Sequence, residues 1–121
     1  MTEIQNSKQY NLEERTFKFS QSIRIFIKEL PKTINSIEDG KQLIRSSGSV
    51  GANYIEANES LSRKDFIMRI KICRKEAKES IYWLKLLDVN ASVNLESKRS
   101  ELIKEAIELM KIFGSILEKS K

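Results

Sequence analysis

The sequence predicts an all-α protein, an up-down-up-down four-helix bundle. Three observations predict it. Apolar residues recur at steps of three and four through four separate stretches. Only 4 Gly and 1 Pro occur in 121 residues, too little turn chemistry for a many-stranded β fold. The connections between the stretches are short, and short connections set consecutive helices side by side and antiparallel. A chain of this length buries one core and makes one domain.

Residues 1–11 are polar and aperiodic and are expected as a flexible tail. Asn11, with Glu14 three residues on, resembles a capping box. The first helix is expected over about 12–30, with Phe19, Ile23, Phe26 and Leu30 on its apolar stripe. Phe17 and Ile27 widen that stripe. Leu30-Pro31 ends it, because a residue before proline is pushed out of the α region.

The second helix is expected over about 37–60, capped by Ser36 with Asp39. Its stripe is Leu43, Ser47, Val50, Tyr54, Ala57 and Leu61. The middle, Ser46 to Ala52, is almost all small. Two interior glycines cost about 1 kcal/mol each against alanine. A loop would explain them. Close approach of a neighbouring helix explains them better, since the stripe stays in phase on both sides.

The third helix, about 63–91, opens with Ser62 and Asp65 at capping distance. Its core stripe is Phe66, Ile70, Cys73, Ala77, Leu84, Leu87 and Ala91. The fourth is expected over about 95–118, with Ile103, Ala106, Met110, Phe113 and Leu117 at alternating three and four. That alternation favours crossing angles near about 20°.

Composition excludes several chemistries. Histidine is absent, which removes His-based triads, imidazole acid–base work and His metal ligands. Cys73 is the single cysteine, so no intramolecular disulfide or thiolate cluster forms, and a buried thiol on the core stripe acts as a small hydrophobe. Glu56 with Glu59, and Glu101, Glu105 and Glu108, have the spacing of ordinary solvated faces. No residue set stands out as catalytic, and no cofactor or metal is expected. The first residues do not form a signal peptide and no stretch spans a bilayer, so a cytoplasmic protein without membrane contact is expected.

The formal charge is +5, and it is not spread evenly. Residues 62–79 hold 7 basic and 3 acidic side chains, so one short segment carries nearly the whole excess. Within it and just beyond, Lys64, Lys71, Lys75, Lys78 and Lys85 fall on one helical stripe with Tyr82. Lys71 lies about 200° around the helix from Cys73, so the stripe points away from the core. Lysines on a line with an aromatic suit phosphates and a stacked base, with Arg63 and Arg74 assisting. A solvated face that keeps the protein soluble has the same pattern.

A neighbouring face of the third helix carries Ile72, Trp83 and Leu86, which one bundle core does not need. Large apolar groups off the core point to a contact with another subunit or a partner. On the second helix Arg45, Asn53 and Glu56, with Ser49, form a polar patch. The patch either fixes helix register or takes part in a subunit contact; a direct ligand contact is the other reading.

Residues Gln42 to Ala57, reading QLIRSSGSVGANYIEA, resemble the signature helix of a family of small bacterial four-helix bundles, the 23S rRNA intervening-sequence proteins. The similarity continues through Ser62 to Phe66, Lys75-Glu76-Ala77 and Tyr82-Trp83-Leu84. It implies a left-handed up-down bundle assembled as a homopentamer. The accessory protein of diversity-generating retroelements, a basic pentamer that binds a reverse transcriptase and nucleic acid, is similar. The resemblance implies no enzymatic activity. Two functions follow as expectations. The first is a basic homo-oligomer that binds nucleic acid, RNA more than DNA, along the lysine stripe. The second is a scaffold or accessory subunit that holds a partner protein such as a reverse transcriptase.

Overall fold

The computed structural model describes the backbone of residues 2–121 and the side chains of residues 12–121. Four helices follow in order: α1 (Thr2–Lys28), α2 (Ile34–Asn58), α3 (Arg63–Leu86) and α4 (Val93–Lys119). Each packs on its neighbour in sequence, and α4 returns to α1. Among the described residues the diagonal pairs, α1 with α3 and α2 with α4, make no close backbone approach. This is the square cross-section of an up-down bundle. Among the described residues the α2–α3 and α3–α4 seams are the most extensive and the α1–α4 seam is the least. Among the described residues no helix is long and apolar enough to cross a membrane.

The core fills the centre of the square. Ile23 and Phe26 of α1, Leu43 and Val50 of α2, Ile70, Cys73 and Leu84 of α3, and Leu109 and Phe113 of α4 are buried. Tyr54 and Phe113 meet across it with ring centroids 6.0 Å apart and planes tilted by 51°, a favourable aromatic geometry. Burial pushes the Cys73 thiol up to about 12, so it stays protonated and is a packing group rather than a nucleophile.

The run of small residues in α2 is helical throughout, and both sides of it are used. On the α1 side, a Cβ built on Gly51 would lie 3.0 Å from Thr16 Oγ1 and 3.3 Å from Thr16 Cβ. Gly48 faces Ser20 and Arg24 with more room, a Cβ there lying 3.8 and 3.6 Å from them. On the α3 side, Ser46 Oγ and Ser80 Oγ are hydrogen-bonded at 2.9 Å inside the core. The low helix propensity of the segment is offset by letting two neighbours approach one backbone.

Helix ends differ from expectation where several capping residues compete. Ser62 caps α3 and accepts from the Asp65 N–H at 3.0 Å, as the spacing predicts. The cap of α2 is Thr33, not Ser36: Thr33 is extended (φ −101°, ψ 164°) and accepts from the Ser36 N–H at 3.1 Å. Ser36 is therefore buried inside the first turn. Ser92 caps α4 through the Leu95 N–H at 3.1 Å, which starts the helix at Val93.

At its other end α3 stops at Leu86 rather than near 91. The Arg99 guanidinium donates to the Leu87 carbonyl, and a cation there suits the negative end of a helix. Asn90 and Ala91 then take left-handed backbone, φ 53° and 58°. Ala91 is exposed as a result, against its expected core place. Leu61, past the end of α2, is fully exposed. Phe17 is 62% exposed and does not widen the α1 stripe. The helical backbone begins at Thr2, well before the expected start near residue 12. The flexible tail expected over 1–11 and the Asn11 cap rest on side chains outside the described residues.

Gly51 is the position where added volume costs most. Gly51→Leu is expected to lower unfolding stability by about 2–3 kcal/mol, because Thr16 is itself buried and leaves nowhere to move. Urea titration followed by circular dichroism measures it; an unchanged midpoint would show that α1 and α2 can separate freely.

Candidate nucleic-acid interface

The charges of α3 are sorted by the two helices beside it. Two of its three carboxylates turn toward α2. Glu76 is buried and accepts from Arg45 Nη1 at 3.3 Å. Glu79 accepts from Arg45 Nη2, and from Trp83 Nε1 at 2.9 Å. One guanidinium from α2 thus holds two carboxylates of α3, and an arginine fork is suited to that. Breaking this cluster leaves a carboxylate in a site with little water, which costs more than an intact pair contributes.

Six of its eight cations turn away from α2, whereas Arg69 reaches toward it. Lys64, Lys71, Lys75, Lys78 and Lys85 are all exposed, as is Arg74. Among the described residues, none of the six lies within ion-pair distance of a carboxylate. Tyr82, 58% exposed, lies along the same outer face and meets Trp83 edge-on at 5.0 Å. Arg63 is different. Its guanidinium donates to the Ser120 carbonyl, 2.9 Å from Nε, and so caps the end of α4.

The expected contact face divides as well. Ile72 and Trp83 are half-buried and Leu86 is 50% exposed. Trp83 packs partly on the bundle core. Arg45 and Asn53 face α3 within the chain: Asn53 Oδ1 accepts from Arg69 Nη1 at 3.0 Å, and its amide nitrogen donates to the Ser49 carbonyl at 2.9 Å. Both fix the register of α2 on α3. Glu56 is exposed and joins neither bond.

Between α3 and α4 lies a groove of about 540 Å³, lined by Lys71, Arg74, Lys75 and Lys78 with Met110 and Leu117. The contribution of α4 is not visible in the sequence. Leu109 is fully buried, while Met110 and Leu117 pack half-buried against the core and also line the seam with α3. Arg74 lies over α4 at Gly114, between them on that face: a Cβ there would be in ordinary contact with Arg74 Nε at 3.9 Å.

A second groove, between α1 and α4, shows the contrast. Its cations are paired: Arg15 with Glu105 through two bonds of 2.7 and 2.8 Å, Lys18 with Glu14 at 3.1 Å, and Lys98 with Glu29 at 2.7 Å. The Glu105 carboxylate holds the Arg15 guanidinium above its ordinary range through those hydrogen bonds. That groove is internally neutralised. The α3–α4 groove has four cations and no carboxylate in its lining. Among the described residues no group of three or more His, Cys, Asp or Glu side chains is placed to hold a metal ion.

Arg45→Ala is expected to destabilise the fold by about 1–2 kcal/mol, the order of the cost of leaving a buried acceptor unpaired. Chemical denaturation of the variant measures it. A loss below the error of the method would mean that Glu76 and Glu79 do not depend on α2.

Residues 8–115 match the family described as 23S rRNA-intervening sequence protein. Among solved structures, the chain is similar to a protein with unknown function from the S23 ribosomal protein family of Bacteroides thetaiotaomicron. The two share 30% identity over 88% of this chain and 97% of that one, with a TM-score of 0.73. No curated protein sequence matches the chain.

Proposed function

Because the chain belongs to the 23S rRNA-intervening sequence protein family, we propose that it is a non-catalytic basic bundle that binds nucleic acid, RNA rather than DNA, along the outer face of α3. The observation that carries this reading is the separation of charge on that helix. Glu76 and Glu79 are drawn to Arg45, and six cations face solvent with no carboxylate within ion-pair distance among the described residues. A lysine with a carboxylate neighbour gives up that contact to bind a phosphate. A lysine without one gives up only its own hydration and releases a counterion from the nucleic acid. Contacts of this kind position a backbone and read little sequence.

The reading includes self-association, as a ring of five. Leu86, with Ile72 and Trp83 beside it, is the apolar face such an assembly would cover. Five copies would multiply the +5 of one chain and turn a modest stripe into a strong polyanion surface. Arg45 and Asn53, committed within the chain, would brace this surface from behind rather than reach across it.

The triple change Lys71→Glu, Lys75→Glu and Lys78→Glu is expected to abolish RNA binding while the helical signal and melting midpoint stay close to those of the parent. All three are exposed, where substitutions rarely cost more than about 0.5 kcal/mol each. Electrophoretic mobility shift with a structured RNA reads the result. Retention of the parent's affinity would remove this face from the function.

A further inference from the structure

We infer that the α3–α4 groove takes an unpaired stretch of RNA, with phosphates on Lys71, Arg74, Lys75 and Lys78 and bases laid against Met110 and Leu117. This rests on the nucleic-acid reading above and narrows it to the state of the strand. A phosphate track alone needs only cations on a convex rod. Here the cations border a concave seam whose floor is apolar and half-buried.

A duplex presents phosphates and sugars outward and keeps its bases stacked inside. It would satisfy the four cations and leave the floor uncovered. An unpaired strand can turn its bases inward and remove both the floor and the base faces from water. Arg74 fits this use. It lies across the α4 backbone at Gly114, between Met110 and Leu117, where a planar guanidinium can stack on a base or fork to a phosphate. Lys71 and Lys78 are two turns apart, about 10 Å along the axis, so the groove proper holds a short strand segment. The lining has no carboxylate, which suits a polyanion and disfavours a cationic peptide.

The test compares two labelled RNAs of about 12 nucleotides, one unstructured and one a perfect duplex, by fluorescence anisotropy on the full chain at one salt concentration. The unaltered protein is expected to bind the unpaired RNA about tenfold more tightly than the duplex. Met110→Ser with Leu117→Ser keeps every cation, and is expected to bring the two affinities together by weakening the unpaired RNA alone. Equal or tighter duplex binding by the unaltered protein overturns the inference and leaves the nucleic-acid reading standing. So does a folded double variant that keeps the preference. Binding of neither RNA overturns the reading as well. The comparison on the unaltered protein decides the matter even if the double variant does not fold.

Discussion

The clasp of Arg45 on Glu76 and Glu79 is the interaction on which the surface of α3 depends. Like charges along one helix repel, and opposite charges at steps of three and four neutralise each other. Of the two acids only Glu79, four residues after Lys75, stands at such a step from a lysine of the stripe. It does not neutralise that lysine, because α2 offers a better partner on the opposite flank. An arginine held in a helix seam gives two carboxylates a fixed set of donors, whereas a surface lysine offers one mobile charge. Among the described residues the lysines of α3 have no carboxylate within ion-pair distance, and α2 holds two of the three acids of that helix.

That clasp requires α2 to lie close to α3, and the small residues make it so. Ser46 meets Ser80 across the seam at 2.9 Å, within one turn of Arg45 on α2 and of Glu76 and Glu79 on α3. On the other flank Gly48 and Gly51 admit α1. One backbone is thus gripped from both sides over two turns. The α1–α4 seam is the least extensive among the described residues and carries ion pairs at its rim, Arg15 with Glu105 among them. The α1–α4 groove has its cations paired within the fold, and the α3–α4 groove has no carboxylate in its lining.

Much of this was legible in the residues, and what was not has physical causes. The four helices, the Ser62 cap and the outward phase of the lysines follow from periodicity, because Cys73 and Lys71 cannot share a face of a helix. The close approach at Ser46 to Ala52 follows from two glycines in an otherwise unbroken stripe. The cap of α2 was misplaced because Thr33 and Ser36 are both good caps, and only the backbone at Thr33 decides. The end of α3 was overrun because Leu87 and Val89 stay apolar and buried after the helix has stopped. On α4 Ala106 and Phe113 are buried as the stripe predicts, but Leu109 takes the fully buried place between them, and Met110 and Leu117, half-buried against the core, also reach the seam with α3. Only packing decides between Leu109 and Met110, which are both apolar, so the floor of the groove has no mark in the spacing. The partner chosen by Glu76 and Glu79 is a tertiary matter and has no signature in spacing.

Salt dependence tests the central claim, that the cations of α3 are free to meet phosphates, without altering the protein. Affinity for an unstructured RNA, measured across a series of salt concentrations, should fall linearly on logarithmic axes. Four phosphates at about 0.7 released counterions each give a slope of about −3 per chain. A slope near zero, with binding intact, would mean that the RNA is held by something other than these charges and would contradict the account.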